Sequence, residues 1–222
     1  MVPPDVLVVM ARQPTPGAVK TRLARRIGDA AACAIYRAFL VDIAATLGGG
    51  PWRLIWAVTP ADADLRPIVG AGADSLAQRG ADLAERMAGA FADLFARGAE
   101  RVVMIGADAP HLGPAGIAAA FAALDGADVV LTPTRDGGYC LVGQRASHDL
   151  FRGIPMGTDR VFAQTQARVT ALGLRAAVQP ATFDVDEWAD VEDLRALIDG
   201  GEVSLPITAA ALAATCAGRG GV

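Results

Sequence analysis

Short apolar runs alternate along the chain with longer segments that have helical spacing. The runs Val6–Met10 and Arg101–Gly106 are almost continuous in apolar residues and are bounded by turn residues, which is typical of buried strands. Four further runs have a similar character. The predicted strands cover residues 6–10, 54–58, 101–106, 128–132, 139–143 and 174–178.

Between these strands, apolar residues recur at the spacing of amphipathic helices. The clearest case is residues 80–97, where Leu83, Met87 and Phe91 share one face. Strands that alternate with helices predict right-handed crossovers and a mostly parallel sheet. We therefore expect one α/β domain over residues 1–222, with 205–222 as a loose helix or a partly disordered tail. The predicted helices cover residues 19–47 with a break near 28–29, 62–69, 80–97, 114–124, 159–172 and 190–198.

The composition and the net charge limit the kinds of molecule that the protein is expected to bind. The chain has 222 residues, of which 53% are hydrophobic and 20% charged, so it is long and apolar enough for one packed domain. A net charge of -4 argues against a nucleic-acid binder. We expect no membrane span and no secretory signal, and therefore a cytoplasmic protein with reduced thiols at Cys33, Cys140 and Cys216.

The loop between the first strand and the first helix is rich in proline and glycine and is followed by cations. Lys20 and Arg22 lie where the helix begins, and no acidic residue follows until Asp29. A helix N-terminus prefers anions, so a bound phosphate would relieve this conflict. We predict a phosphate-binding loop, with the Lys20 side chain in solvent or on the ligand. The alternative is that these cations simply extend into solvent.

Two groups of carboxylates are candidates for a metal site. Asp108 follows the third predicted strand, where ligands bind in parallel sheets. Asp184 and Asp186 are two residues apart, so an extended backbone would place them on one face. Carboxylate oxygens suit Mg²⁺ or Mn²⁺ bridging two phosphates. The alternatives are a turn at Asp108 and a polar loop before a helix in which Asp190 is the N-cap.

Two other segments are ambiguous. Gln78 could offer its amide to a base edge and Gly80 could allow close backbone approach, but helix capping by Asp82 explains the same segment. Asp136-Gly-Gly138 is a strong hairpin signal, and it could also face a sugar or another acceptor.

Several common site motifs are missing or misspaced. Gly17-Ala-Val-Lys20-Thr21 is similar to a Walker A loop, but the glycine spacing is wrong. The chain has no Gly-x-Gly-x-x-Gly after the first strand and no Gly-x-Ser-x-Gly, and His111 and His148 have no nucleophile arrangement. These observations disfavour a P-loop NTPase, a dinucleotide-binding enzyme and an acyl-transfer hydrolase.

The blocks taken together resemble a bacterial family described as glycosyltransferase-like, within the nucleotide-diphospho-sugar transferase (GT-A) fold. The resemblance spans residues 6–198, and more distantly it extends to 2-phospholactate guanylyltransferase and molybdenum-cofactor guanylyltransferase. Two positions depart from the family pattern: Ala84 replaces a glycine, and Met156-Gly-Thr158 stands where Trp-Ser-Thr is common. The matching blocks are Pro14–Leu23, Gln78–Met87, Ile105–Pro110, Asp136–Tyr139 and Asp184–Asp186.

This resemblance implies a single three-layer αβα domain and a set of site residues. The implied metal ligands for Mg²⁺ or Mn²⁺ are Asp108, Asp186 and Asp184. The implied catalytic residues are Lys20, Arg22, Asp108 and Asp136. The implied nucleotide-binding residues are Ala11, Arg12, Gly17, Lys20, Arg22, Gln78, Gly80 and Asp82. The implied acceptor or sugar residues are Asp136, Gly137, Gly138, Tyr139 and Thr158.

Three functions remain open at this point. The first is glycosyl transfer from a nucleotide-sugar to a small acceptor. The second is nucleotidylyl transfer from a nucleoside triphosphate to a phosphorylated small molecule, which the basic loop favours because Lys20 and Arg22 would neutralise a triphosphate. The third is a non-catalytic nucleotide sensor. In each case the expected partners are a nucleotide and a small molecule, with no nucleic acid and no membrane.

Overall fold

The structure is a computed structural model that describes residues 5–217. Within this range one seven-stranded sheet is covered by helices on both faces. The strands are β1 Asp5–Arg12, β2 Arg53–Thr59, β3 Asp74–Ala77, β4 Arg101–Gly106, β5 Val129–Pro133, β6 Tyr139–Gln144 and β7 Ala176–Val178. The helices are α1 Thr21–Ile27, α2 Asp29–Leu47, α3 Arg66–Val69, α4 Leu83–Ala96, α5 Pro114–Ala123, α6 Val161–Ala171, α7 Trp188–Asp199 and α8 Pro206–Ala217.

The sheet is mostly parallel, as the alternation of strands and helices predicts. The strand order is β3-β2-β1-β4-β6-β5-β7, and β6 alone runs antiparallel to its neighbours β4 and β5. The β5–β6 pair is the hairpin that the Asp136-Gly-Gly138 signal indicates. The described chain therefore forms one α/β domain around a mixed, mostly parallel sheet.

Side chains on both faces of β1 are buried, which explains its uninterrupted apolar run. Leu7 and Val9 pack into a core with α1, α2, α5, α7 and α8, whereas Val6 and Val8 pack into a second core with α4 and α6. Each of these four residues is at most 1% exposed. These two cores make the three layers of the domain.

The predicted break near 28–29 in the helix over 19–47 is confirmed, because α1 and α2 are separated at Gly28, whose φ of 88° does not suit a helix. Two other details differ from the prediction. The edge strand β3 was not predicted, because of its four residues only Leu76 is buried and no apolar run marks it. The capping box of α7 has Glu187 as N-cap and Asp190 three residues later, so the prediction of Asp190 as N-cap was wrong.

The segment predicted as a loose tail is helical as far as the structure describes it. The carboxylate of Asp42 is 1% exposed and accepts the backbone N–H groups of Ile207 and Thr208, which caps α8. Residues 218–222 of the predicted tail lie outside the described residues.

Helix α2 is long and apolar enough to cross a membrane by length and composition, contrary to the expectation from the sequence. The helix nevertheless packs against the sheet, with Ile35, Phe39 and Ile43 at most 1% exposed. Its apolar composition is therefore that of a core helix in this fold.

Candidate active site

A cleft of about 450 Å³ opens at the carboxyl ends of the parallel strands. One end is formed by Ala11 and Arg12 of β1, Thr59 of β2, and Gln78, which follows β3. The other end is formed by the β5–β6 turn and the segment before α6. Open parallel sheets bind ligands at this edge, so the cleft is the candidate active site.

Carboxylates from two distant parts of the chain meet at the cleft. Asp108 follows β4, and its backbone oxygen accepts the N–H of Val185 at 2.8 Å. Val185 is fully buried in the core, so the side chains of its neighbours Asp184 and Asp186 lie on the side of the cleft. The structure thus brings together the three residues that the sequence nominates as metal ligands.

Lys20 does not occupy the place that we expected. Its side chain is only 2% exposed, and Nζ lies 2.5 Å from Oδ1 of Asp108 and 3.1 Å from Oδ1 of Asp186. The same ammonium donates to the backbone oxygen of Val185 at 2.6 Å. The expectation of a solvent-exposed or ligand-facing side chain was wrong, because these acceptors satisfy the charge from within the protein.

The backbone at Lys20 explains this inward course. Lys20 has φ 49° and ψ 42°, a left-handed conformation, and α1 begins at the next residue. The ammonium lies 6.0 Å from the ring centroid of Tyr36 and 5.7 Å from that of Phe39. The backbone turn therefore directs the side chain between α2 and the carboxylates.

The electrostatics of this cluster favour a further cation. Burial lowers the pKa of Lys20, but Asp108 and Asp186 outweigh it and hold that pKa above its usual value. Burial, followed by the charges of Asp108 and Asp186, raises the pKa of Asp184 to about 7. Two carboxylates thus contact one ammonium and Asp184 lies beside them in the cleft, so the cluster carries an excess of negative charge when all three are ionised.

The donor chemistry of the cluster fits Mg²⁺ or Mn²⁺. Carboxylate oxygens are the ligands that these ions take in proteins, and Asp184 has no cationic partner among the described residues. Within residues 5–217, however, no three acidic, His or Cys side chains are already arranged to hold one ion. The ammonium of Lys20 lies between Asp108 and Asp186, so binding of a metal ion would require these side chains to move.

A second cavity of about 290 Å³ lies on the other side of the carboxylates. Asp136, Asp184 and Asp186 line both cavities. Arg22 lines this second cavity and not the main cleft. Gly17, with φ 79°, lines neither, so the predicted phosphate loop contributes Arg22 but not Gly17 to a cavity wall.

The segment before α4 both lines the cleft and caps the helix. Gln78 lines the cleft, and its Nε2 donates to the backbone oxygens of Ala11 and Ala57, which leaves Oε1 to meet a base edge. Gly80 and Asp82 are not among the residues that line the cleft. Asp82 caps α4 by accepting the N–H of Glu85.

Gly80 is required by the packing of that same cap. A Cβ at Gly80, whose φ is 143°, would lie 2.6 Å from Cβ of Glu85. The carboxylate of Glu85 in turn accepts the N–H of Ala81. Gly80 thus fits the start of its own helix, and the capping alternative explains the residue.

The β5–β6 turn places three of the predicted acceptor residues in the cleft. Oδ1 of Asp136 accepts Oγ1–H of Thr134 at 2.6 Å and N–H of Gly138 at 3.1 Å, which holds the turn. Asp136, Gly138 and Tyr139 line the cleft, as does Thr158 from the segment before α6. The hairpin and the acceptor interpretations are therefore compatible.

Gly137 has a packing role and does not line the cleft. A Cβ at this position would lie 2.1 Å from the backbone oxygen of Asp159. Its own carbonyl accepts N–H of Phe162 at 2.9 Å. The turn is therefore packed against the start of α6, and this packing explains the glycine at position 137.

The sequence did not single out several residues of the cleft. The Tyr36 hydroxyl accepts the N–H of Arg12 at 3.0 Å, and burial raises the pKa of Tyr36. Arg86 lies one helical turn into α4 and faces the cleft beside Gln78. Met10 and Met104 line its floor. Arg86 belongs to the Gln78–Met87 block, but no role was assigned to it, whereas Tyr36, Met10 and Met104 lie in segments typical of a core strand or a core helix.

Comparisons with known proteins agree with this fold. The chain is 33% identical to a protein from Desulfovibrio desulfuricans G20 described as a "putative nucleotide-diphospho-sugar transferase", with a TM-score of 0.83 and 87% of each chain covered. A search of curated proteins found no match.

Two more distant structures share the fold. CMP:2-keto-3-deoxy-manno-octonic acid synthetase complexed with CTP is 16% identical, with a TM-score of 0.52 and coverage of 89% of this chain and 99% of that one. Rv0371c of Mycobacterium tuberculosis H37Rv in complex with manganese is 20% identical, with a TM-score of 0.50 and coverage of 87% and 98%.

The fold and the acidic cleft define the class as nucleotide-diphospho-sugar transferase-like, and the comparisons support a nucleotide-using transferase. The family is shown by a sequence match over residues 40–158, together with the 33% identical relative. The chain belongs to the DUF2064 family, described as uncharacterized protein conserved in bacteria.

Proposed function

We propose that the protein transfers a glycosyl group from a nucleotide-sugar to a small acceptor. The observation that carries this proposal is the meeting of Asp108, Asp184 and Asp186 at the cleft, where Asp108 and Asp186 share the ammonium of Lys20. This acidic cluster is the chemistry needed to hold a cation against the diphosphate of a nucleotide-sugar.

The nucleotide-sugar lies along the cleft with its base at the β1–β3 end. There Oε1 of Gln78, together with Ala11 and Arg12, can contact the base. The diphosphate then reaches the carboxylates. A divalent ion held by Asp108, Asp186 and Asp184 would supply positive charge for the departing diphosphate. Lys20 positions Asp108 and Asp186 for this role.

In the reaction, the bond between the sugar carbon and the diphosphate oxygen breaks, and its electron pair leaves with the diphosphate. The acceptor oxygen forms the new bond to that carbon. Asp136 lies across the cleft from the nucleotide end, and Oδ2, the oxygen not used in the turn, can take the acceptor's proton.

A second candidate is nucleotidylyl transfer from a nucleoside triphosphate. Arg22 and Arg135 line the cavity beyond the carboxylates, where two cations could face pyrophosphate or a phosphorylated acceptor. The fold shared with a CTP-bound synthetase supports this candidate. Against it, Arg135 is already paired with Asp193, and Lys20 is engaged with carboxylates instead of facing a phosphate.

The two candidates release different products. The protein is incubated with Mn²⁺ and each common nucleotide-sugar or nucleoside triphosphate, and the products are followed by ³¹P NMR. Water can replace the acceptor, so slow donor hydrolysis is expected. Release of nucleoside diphosphate supports glycosyl transfer, whereas pyrophosphate supports nucleotidylyl transfer. Nucleotide binding in a thermal-shift assay with neither product over a broad acceptor set would favour a sensor.

A further inference from the structure

One half of the cleft has apolar walls that the nucleotide assignment does not use. Its floor is on the face of the sheet that α4 and α6 cover, and its sides come from the start of α4, the segment before α6 and the first residue of α6. We call it the methionine chamber. It is formed by Met10, Leu83, Met87, Met104, Val142, Met156 and Val161.

Two features of the chamber point to a ligand with apolar surface. Leu83 is 46% exposed, although it begins a helix whose other apolar residues are mostly buried. In addition, every methionine within residues 5–217 lines this cleft. Methionine is flexible and polarisable, so a wall of such residues can adapt to an irregular apolar group. Exposed apolar surface inside a cleft is typical of ligand-binding sites.

The position of the chamber assigns it to the acceptor. Gln78 and Ala11 mark the nucleotide end over β1–β3, and the carboxylates account for the diphosphate. The chamber borders that end at Met10 of β1 and the start of α4, and it extends over β4 and β6 to Asp136 and Tyr139. A group that enters it is therefore beside the proposed base for the acceptor hydroxyl.

We propose that the acceptor is an alcohol with an aliphatic or other apolar body, and that Met156 helps to select it. This inference rests on the proposed function, since it names the substrate class of the same site. A free sugar or another fully polar acceptor would leave the apolar walls of the chamber in contact with polar groups or water. An apolar body displaces that water and gains affinity with each buried methylene.

The test uses primary alkanols from ethanol to 1-hexanol as probes, with protein labelled with ¹³C at the methionine methyl groups. Signals are assigned with single Met→Leu variants. We expect saturable shifts at Met10, Met87, Met104 and Met156, with the dissociation constant falling by about fourfold per methylene until the chamber is full. Met156→Gln should weaken 1-hexanol binding by at least about fourfold, because it places an amide in the wall.

Leu172→Gln is the matched control, because Leu172 is 40% exposed and does not line the cleft. It should leave 1-hexanol binding unchanged. A dissociation constant independent of chain length, or the same loss in both variants, would overturn the inference. Nucleotide binding is measured separately by thermal shift with Mn²⁺. If alkanol binding depends on chain length but no nucleotide binds, the proposed function is contradicted and the apolar chamber is supported. If nucleotide binds but alkanol binding does not depend on chain length, the apolar chamber is contradicted and the proposed function is not.

Discussion

The ammonium of Lys20 lies 2.5 Å from Oδ1 of Asp108, although 88 positions of sequence separate the two residues. The lysine is 2% exposed and the aspartate 44%. The cation is therefore fixed in the interior, while the carboxylate still reaches the cleft. This pair links the loop after β1 to the loop after β4, so the acidic site and the stability of the loop depend on each other.

Replacement of Lys20 by methionine should lower the free energy of unfolding by about 2 kcal/mol, less than for a fully buried pair because the carboxylates are half-exposed. Methionine keeps the side-chain length but removes the charge that Asp108 and Asp186 share. Urea unfolding of Lys20→Met and wild type measures the difference. Arg25→Met, at an exposed position of α1, is the control and should change stability by less than about 0.5 kcal/mol. Equal stabilities of all three proteins would contradict the structural role of Lys20.

Lys20 shows which parts of the candidate site could be predicted from the sequence and which could not. The strand–loop–helix order, the carboxylate of Asp108 after β4 and the Asp184–Asp186 pair all follow from local patterns, and the structure brings these segments together. A buried lysine looks the same in sequence as an exposed one. Its inward direction depends on one left-handed residue and on acceptors more than 80 positions away, which no local pattern contains.

The same distinction holds for the cleft as a whole. The capping of α4 by Asp82 and the β5–β6 hairpin were among the interpretations open from sequence, because both depend on residues within a few positions. The methionine chamber combines side chains from three strands, two helices and a loop. In the sequence each of them reads as an ordinary core residue, so the chamber is visible only after the chain has folded.

Loss of the Asp186 carboxylate should weaken Mn²⁺ binding at least about tenfold, since affinity for hard cations rises with the number of charged ligands. Asp186→Asn keeps the size of the side chain and can still accept from Lys20. Binding is measured by titration with Mn²⁺ and detection of free ion by electron paramagnetic resonance. Asp62→Asn, at an exposed position outside both cavities, is the control. Unchanged binding in Asp186→Asn would remove Asp186 from the proposed metal ligands.

Alanine at Gly137 should destabilise the protein by at least about 3 kcal/mol, because strain at positive φ adds to overlap with Asp159. Gly157 is a matched position, since its φ of 85° is almost equal to the 86° of Gly137, but a Cβ there meets nothing within 4 Å. Gly157→Ala should therefore cost only about 1 kcal/mol, the strain alone. Chemical denaturation of both variants gives the two values. Similar losses in the two variants would mean that the turn does not depend on close contact with the start of α6.

Protonation of His111 should destabilise the fold in mild acid. Burial, with a smaller contribution from the charge of Arg135, lowers the pKa of His111 to about 4, from an ordinary value of 6.5. Its Nε2 lies 2.8 Å from Oγ1 of Thr182, and its ring stacks on Phe183 with centroids 4.3 Å apart. Between pH 6.5 and 4 the unfolded chain binds a proton at this residue that the folded protein does not. The contribution of His111 is therefore complete above pH 6.5, declines as the pH falls, and is lost by about pH 4.

The size of this effect follows from the shift, which corresponds to at most about 3 kcal/mol. Urea unfolding of wild type and His111→Gln is compared at pH 7.5, 5.5 and 4.5. Glutamine can still bond to Thr182 but does not titrate in this range, so the variant should lose less stability on acidification than wild type. His148→Gln is the control for the other histidine. If wild type and His111→Gln lose stability in parallel from pH 7.5 to 4.5, the imidazole titrates normally in the folded protein, and the packing of Phe183 beside the carboxylates does not depend on its neutral form.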